Sequence, residues 1–223
     1  MFSPADKALD LTSRCTPGRL LRSPLGEGTW ALLESAGRQN HAPQLCWLDS
    51  DRLACVWMAG GQEGTAGMNI YISELRRGRT RWTRPRLISR DEGRSEQNPL
   101  LFIASDGRIQ LIHTAQQVRD ANNNDWRSKG SAFSMQWTAN LRRQTRTVSS
   151  SKWNRTSEVL RDPAFCRNPP YQRDDGYWIL PIYRSLKEGG AFGHDHSEVL
   201  ILNPDGSSTE HIYKIPELSL IHI

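Results

Sequence analysis

The chain has 223 residues, of which 37% are hydrophobic and eight are Trp, and a formal net charge of +5. This composition excludes an intrinsically disordered chain and permits one large domain. Lys and Arg are spread along the sequence instead of forming a basic tail. That spread argues against a nucleic-acid-binding arm and leaves a small anionic ligand open.

The N-terminal residues lack the long apolar core of a secretory signal, and no stretch is apolar over the roughly 20 residues that a membrane helix needs. We therefore expect a cytoplasmic protein with no membrane partner, and nothing in the sequence indicates its oligomeric state. The four cysteines follow no CxxC pattern, so we expect no disulfide framework, and Cys46 and Cys55 read as small buried hydrophobes.

Residues 1–38 form a lead segment of uncertain structure, compatible with a short helix or an edge strand. From there on, strand signals dominate: short segments rich in Ile, Val, Leu, Trp and Tyr are bounded by turn residues, with no sustained helical periodicity. The predicted strands are 44–48, 52–59, 68–75, 100–104, 108–115, 132–141, 177–185 and 197–203. The fold class is therefore all-β.

A weak repeat organises these strands. Three units each begin with an Asn-containing lead that ends in a proline, namely Pro43, Pro99 and Pro169. Each lead is followed by a short strand, a turn and a stronger strand, with the turns at Asp51-Arg52, Asp106-Gly107 and Asp175-Gly176. Asp and Gly suit the tight turns of antiparallel hairpins. A repeat unit that runs from one of these prolines to the next has about the length of a blade of four antiparallel strands with its loops. The repeat therefore predicts a β-propeller.

Five segments, spread over roughly residues 39 to 205, read QNHAPQLCWLDSDRLACVWMAGGQEGTAGMNIYIS, WTRPRLIS, RSEQNPLLF, DGRIQLIHTAQ and GGAFGHDHS. Together they resemble the predicted neuraminidases, a sialidase-like family of bacterial-neuraminidase-repeat propellers. The family's Asp-box turn, S-x-D-x-G-x-T-W, is matched in part, with extra residues inserted and Leu75 in place of the aspartate. The retained positions are Ser73, Gly78, Thr80 and Trp82.

The resemblance implies a six-bladed propeller, of which about three to four blades fall within residues 39–217, with 218–223 as a possible non-native tail. It also implies a glycoside hydrolase of the exo-α-sialidase type that cleaves a terminal acidic sugar from a glycan and needs no cofactor. Sialidases use a Tyr nucleophile assisted by a Glu. In family members that pair comes from later blades, so we expect this sequence to be an N-terminal fragment.

Glu63 is the candidate catalytic residue. It is the one charge in a glycine-rich loop between two apolar segments, and the resemblance places this loop near the channel mouth, where the carboxyl would serve as general acid to a leaving oxygen. The glycines let the backbone approach a substrate closely. Gln62 would read sugar hydroxyls or an amide. The alternative interpretation is an exposed hairpin turn.

Arg167 and Arg184 are candidates for binding the carboxylate of an acidic sugar, because a guanidinium binds a carboxylate bidentately. The alternative for each is a surface salt bridge or plain solvation. The cluster His194, Asp195 and His196 would form a hydrogen-bonding network that positions the sugar, or a structural network. Its spacing offers half a metal site, but no second His or Cys pair completes it, so no metal is expected.

Four further residues, His41, Asn98, His113 and Gln116, are candidate substrate-binding groups, with a structural role as the alternative for the last three. His41 stands where well-characterised sialidases supply a carboxylate-binding arginine. That difference keeps two other functions open: a glycan-binding or scaffolding propeller without catalysis, and another carbohydrate-active enzyme on the same fold.

Overall fold

The computed structural model describes residues 15–23, 26–117, 139–160, 162–184 and 196–215. The regular structure in these ranges consists of β-strands. They are β1 (Leu21–Arg22), β2 (Thr29–Trp30), β3 (Gln39–Trp47), β4 (Arg52–Gly60), β5 (Asn69–Arg76), β6 (Arg86–Ser89), β7 (Arg94–Ile103), β8 (Ile109–Gln117), β9 (Asn140–Arg146), β10 (Ser157–Leu160), β11 (Phe165–Cys166), β12 (Tyr171–Gln172), β13 (Trp178–Arg184), β14 (His196–Leu202) and β15 (Ser208–Lys214). No helix in the described ranges is long and apolar enough to cross a membrane.

Strands β3 to β15 form three antiparallel sheets, each laid out in chain order, and β1 and β2 form a separate two-stranded sheet. Blade 1 is β3-β4-β5-β6 and blade 2 is β7-β8-β9-β10. Blade 3 is β13-β14-β15 with β11 and β12 both paired to β13, so its first strand is split in two. These blades of antiparallel strands confirm the predicted all-β propeller architecture.

The blades stack face to face through apolar side chains. One core lies between blades 1 and 2 and includes Val56, Met58, Ile72 and Leu111. A second lies between blades 2 and 3 and includes Leu180. Because side chains alternate along a strand, each blade sends one set of apolar residues to each side. Blade 2 is therefore covered on both faces.

The first strand of each blade is interrupted at the repeated proline. The register shifts between His41 and Gln44 in β3, and between Gln97 and Leu100 in β7. In blade 3 the interruption is complete, since residues 167–170 separate β11 from β12. Proline has no N–H to donate to a neighbouring strand, so the ladder opens at each of these points.

The residues before the first two prolines complete the break. Ala42 and Asn98 have positive φ values of 49° and 50°, in the left-handed region. Asn tolerates this region better than most side chains, whereas Ala does so at a cost. The break therefore costs conformational energy in two blades. Because an unfavourable backbone conformation persists only when its surroundings hold it, the packing around the break must impose it.

One side chain ties blade 1 to blade 2 directly beside this break. The amide of Gln44 donates from Nε2 to the Leu101 carbonyl oxygen over 3.0 Å. Its Oε1 accepts from the Leu101 backbone N–H over 2.5 Å. One side chain thus satisfies both backbone groups of a buried residue on the neighbouring blade.

Strand β9 differs from the prediction. The predicted strand covered 132–141, of which 132–138 lie outside the described residues, and the observed strand is Asn140–Arg146. Its sequence NLRRQTR is polar and carries no apolar alternation. The polar side chains are held by partners on neighbouring elements instead: Arg142 by Asp91, Arg143 by Gln110, Gln144 by Thr156 and Arg146 by Glu74.

The eight predicted ranges also do not cover β6, β10, β11, β12 and β15. The lead segment contributes the pair β1-β2, and its Leu20, Ala31 and Leu33 pack against the side of blade 1 that faces away from blade 2.

Replacing Gln44 with Ala should destabilise the fold, because both backbone groups of Leu101 lose their partner in a buried position. We expect a loss of roughly 2 kcal/mol in the free energy of unfolding. Urea denaturation measures it, with Gln62→Ala as the matched control, since Gln62 is exposed and its loss should cost less than about 0.5 kcal/mol. Equal losses in the two variants would contradict the bridging role.

Candidate functional site

The three strand breaks converge on one cleft of about 360 Å³. Each blade contributes the residues around its proline, and blade 1 adds the loop between β4 and β5. The lining residues are His41, Ala42, Pro43, Gln44, Met58, Glu63, Asn98, Pro99, Leu100, Arg167 and Pro169. The cleft therefore lies where the first strands of the three blades meet, at the position of the channel axis in a propeller.

Glu63 reaches the cleft on the loop of residues 61–68. The backbone N–H of Glu63 donates to Gln39 Oε1 over 2.7 Å, and Thr65 Oγ1 donates to the Gln62 carbonyl oxygen over 2.7 Å. At the base of the loop, a Cβ on Gly60 would collide with the Gly67 carbonyl oxygen. Glycine is therefore required at position 60, and the loop is held closely although the Glu63 side chain is exposed.

Four polar side chains in the cleft have no partner in the part of the chain that the structure describes. Among the described residues, no hydrogen bond or ion pair involves the side chain of His41, Glu63, Asn98 or Arg167. The set combines a carboxyl group, a guanidinium, an imidazole and an amide. It is equipped to bind an anionic group, to transfer one proton and to read hydroxyls.

Arg184 and His196 do not line this cleft. Both bind Glu198: Arg184 Nε donates to its Oε2, and His196 Nε2 lies 3.0 Å from its Oε1. Arg184 Nη1 also donates to the Pro163 carbonyl oxygen. Burial by itself would raise the pKa of Glu198, but hydrogen bonds from Arg184 and His196 outweigh it and hold the pKa below its usual value. Arg184 is thus committed to an internal ion pair.

The remaining predicted residues that the structure describes lie apart from the cleft. Gln62 is exposed beside Glu63 but is not among the lining residues. His113 and Gln116 are buried in blade 2. His194 and Asp195 lie outside the described residues. No group of three or more His, Cys, Asp or Glu side chains in the described part of the chain is arranged to hold a metal ion.

A buried carboxyl at Glu96 was not among the predicted site residues. It is 1% exposed. Its Oε1 accepts from Ser89 Oγ over 2.8 Å and lies 3.9 Å from both His113 Nε2 and Arg142 Nη1. Its Oε2 has no hydrogen-bond partner among the described residues. The one sequence feature that pointed to Glu96 was its position in the Asn-containing lead of the second repeat unit, which ends at Pro99.

Burial is the main cause of two opposite pKa shifts in this cluster. It raises the pKa of Glu96 from 4.5 to about 7, with the Ser89 hydrogen bond and Arg142 acting in the opposite direction. It lowers the pKa of His113 from 6.5 to about 4. Near neutral pH, His113 is therefore uncharged and Glu96 is close to half protonated.

The fold and the cleft define a β-propeller with a polar cleft at the channel axis. Residues 51–220 match the family described as a BNR repeat-like domain. The chain belongs to that family. This membership confirms the resemblance inferred from the sequence. No curated protein matches the chain significantly.

Solved structures share the fold at low sequence identity. A Hadza microbial sialidase, Hz136, is 12% identical with a TM-score of 0.60, and the match covers 86% of this chain and 41% of that one. The NanB sialidase of Streptococcus pneumoniae is 11% identical with a TM-score of 0.57, over 96% of this chain and 48% of that one.

An endo-arabinase from Bacteroides thetaiotaomicron is 14% identical with a TM-score of 0.57, over 86% of this chain and 66% of that one. The chain thus spans between 41% and 66% of the length of these three structures.

The Glu96 cluster predicts a specific pH dependence of stability. The native state holds the Glu96 proton up to about pH 7. The contribution of Glu96 to the free energy of unfolding is therefore full below pH 4.5 and is lost as the pH rises through 7. His113 acts oppositely, because its contribution is full above pH 6.5 and is lost as the pH falls through 4. The two largely cancel in the wild-type protein.

Glu96→Gln removes only the first contribution. The stability of this variant relative to wild type should rise by about 3 kcal/mol between pH 4.5 and 7. Urea denaturation at several pH values measures the difference. Glu92→Gln is the control, because the Glu92 side chain is exposed, and its difference should stay flat. A flat difference for Glu96→Gln would contradict the raised pKa.

Proposed function

We propose that the protein is a glycoside hydrolase of the sialidase type that binds a terminal acidic sugar in the channel cleft. The observation that carries the proposal is the set of unpartnered polar side chains contributed by all three blades. The broader assignment, a glycan-processing propeller, is supported by the family and by similar structures that are named sialidases and an endo-arabinase.

Arg167 is the proposed carboxylate-binding residue. Unlike Arg184, it makes no ion pair within the described residues, so its guanidinium is available to a ligand. An arginine that holds a carboxylate through charge-assisted hydrogen bonds contributes more binding free energy than a neutral donor would. His41 and Asn98, on the two other blades, would read hydroxyls of the same sugar.

Glu63 is the proposed general acid. It lies on a loop whose base is pinned at Gly60, and it is the one carboxylate among the described cleft residues. Protonation of the leaving oxygen needs a carboxyl group held within hydrogen-bond reach of that oxygen. Glycoside hydrolysis usually uses a second catalytic group as well, which this cleft does not contain among its described residues.

That single carboxylate supports a second candidate function. A cleft with one acid, one arginine and two hydrogen-bonding side chains is sufficient to bind a glycan without cleaving it. In this alternative Glu63 accepts hydrogen bonds from sugar hydroxyls. Retained binding on a glycan array, with no turnover of acidic or neutral glycosides, would favour it.

Glu63→Gln should lower the hydrolysis rate of a sialoside by about 100-fold or more, typical for loss of a general acid. The loss should be larger for an alkyl sialoside than for an aryl one, because a poor leaving oxygen depends more on protonation. Product release measures the rate. Glu27→Gln is the control, since Glu27 is exposed and lies outside the cleft. An unchanged rate in Glu63→Gln would remove Glu63 from the mechanism.

Arg167→Ala should weaken binding of acidic glycans by roughly 10-fold to 100-fold and leave binding of neutral glycans nearly unchanged. Titration with a sialylated trisaccharide and its desialylated counterpart measures this selectivity. Arg173→Ala is the matched control, because Arg173 pairs with Asp175 on a hairpin away from the cleft. Equal losses for both glycans would contradict a carboxylate-binding role.

A further inference from the structure

A buried hydrogen-bonded link joins blade 2 to blade 3 next to the cleft. Thr114 on β8 and Cys166 at the end of β11 are both 0% exposed. The backbone N–H of Cys166 donates to Thr114 Oγ1 over 3.3 Å. The Cys166 Sγ atom lies 3.7 Å from the same hydroxyl oxygen. Thr114 of blade 2 therefore holds the residue at which β11 of blade 3 ends.

The residue that follows Cys166 is the cleft residue Arg167. Residues 167–170 separate β11 from β12, so the chain leaves the sheet immediately after Cys166. Cys166 pairs in register with Ile182 of β13 and lies in the apolar core between blades 2 and 3. It is thus fixed from two sides, by its own blade and by Thr114. The backbone that carries the Arg167 side chain starts at this fixed residue.

The thiol of Cys166 contacts a second cleft residue. Its Sγ donates to the backbone carbonyl oxygen of Asn98 over 3.5 Å. Burial raises the pKa of the Cys166 thiol to about 12, so the thiol keeps its proton and donates at neutral pH. Asn98 has a positive φ of 50° and lies at the register shift of β7. Because such a conformation persists only when its surroundings hold it, the thiol contributes to holding the break.

A single buried residue is therefore connected to two polar groups of the cleft. Asn98 of blade 2 offers an amide and Arg167 of blade 3 a guanidinium. One ligand can contact both groups only if the two blades hold them at a suitable separation, and binding sites need their groups fixed to within about 0.5 Å. The link through Cys166 is the shortest connection that the described residues provide between these two backbone segments.

We propose that Thr114 and Cys166 are positioning residues for the cleft. They set the separation of the Asn98 and Arg167 side chains, and thereby the affinity for an acidic sugar that contacts both. Neither positioning residue is among the residues that line the cleft. The effect on affinity rests on the proposed function, whereas the anchoring of the two backbone segments does not.

The alternative is that these two residues only fill space in the core. The two roles make different demands, because packing depends on the shape of a side chain and the link depends on its donor and acceptor atoms. Thr114→Val keeps the shape and removes the acceptor, and Cys166→Ala removes the thiol donor. Thr114→Ser and Cys166→Ser keep a hydroxyl group that can donate and accept.

Titration with a sialylated trisaccharide separates the two roles. Thr114→Val and Cys166→Ala should each weaken binding by about 10-fold, the order of one lost hydrogen bond in the cleft. The two serine variants should stay within about 3-fold of the wild-type protein, because the link is retained. Equal losses in the serine variants and in their Val and Ala counterparts would contradict a role that depends on the hydrogen bonds.

Thr145→Val and Cys46→Ala are the matched controls. Thr145 is buried in blade 2, and its Oγ1 accepts from Asn154. The Cys46 thiol donates to the Trp47 carbonyl oxygen over 3.5 Å. Each control breaks the same kind of bond away from the cleft and should keep the wild-type affinity. Urea denaturation measures the stability of every variant, and an affinity that simply follows stability across all of them would overturn the positioning role.

Amide hydrogen exchange, resolved by residue with NMR, tests the link without any ligand. The backbone amides of Asn98, Cys166 and Arg167 should exchange faster in Thr114→Val and Cys166→Ala than in the wild-type protein, and unchanged in the serine variants. Unchanged exchange in the Val and Ala variants would overturn the proposal, and so would faster exchange with unchanged affinity. If the wild-type protein binds no glycan, the proposed function fails, and faster exchange in these two variants still upholds the anchoring.

Discussion

The interruption of the first strand in every blade is the constraint on which the cleft depends. A continuous inner strand would keep its backbone in the ladder and send alternate side chains into the cores between blades. Because proline cannot donate to the ladder, the chain leaves the sheet at Pro43, Pro99 and Pro169. Residues on either side of these prolines turn toward the channel axis, where His41, Asn98 and Arg167 line one cleft.

The polar residues of the protein are divided between two environments. Inside the blades, several buried polar atoms are held by specific partners, as Glu96 Oε1 is by Ser89 and Arg146 Nη2 by Glu74. In the cleft, four polar side chains have no partner among the described residues, namely His41, Glu63, Asn98 and Arg167. Burying polar groups is costly unless they are paired, so the paired groups serve the fold. The unpaired ones can exchange water for a ligand at little cost.

Much of the architecture was predictable because it rests on local signals. Short apolar strands, Asp-Gly turns and repeated prolines are all readable along the chain, and they predicted the blades of antiparallel strands. The extent of strand β9 could not be predicted from the sequence, because its arginines are stabilised by Asp91, Gln110 and Glu74, which lie far away in sequence. Polar strands of this kind carry no periodic signal.

The candidate site was predictable only in part. Glu63 stood out as a lone acid in a glycine loop, and Arg167 as a charge next to the repeated proline. Arg184 had an equally plausible sequence context, but Glu198 binds it. Glu96 offered almost no signal, because its raised pKa comes from burial between two blades.

The sequence by itself determined the strands, the turns and the three prolines, because these depend on near neighbours in the chain. The tertiary structure decided which polar side chains meet. Residues 41, 63, 98 and 167 come together only when three blades pack around one axis, and that packing also commits Arg184 to Glu198 instead of the cleft. The glycine-rich loop that carries Glu63 is therefore a local feature whose chemistry depends on the other blades.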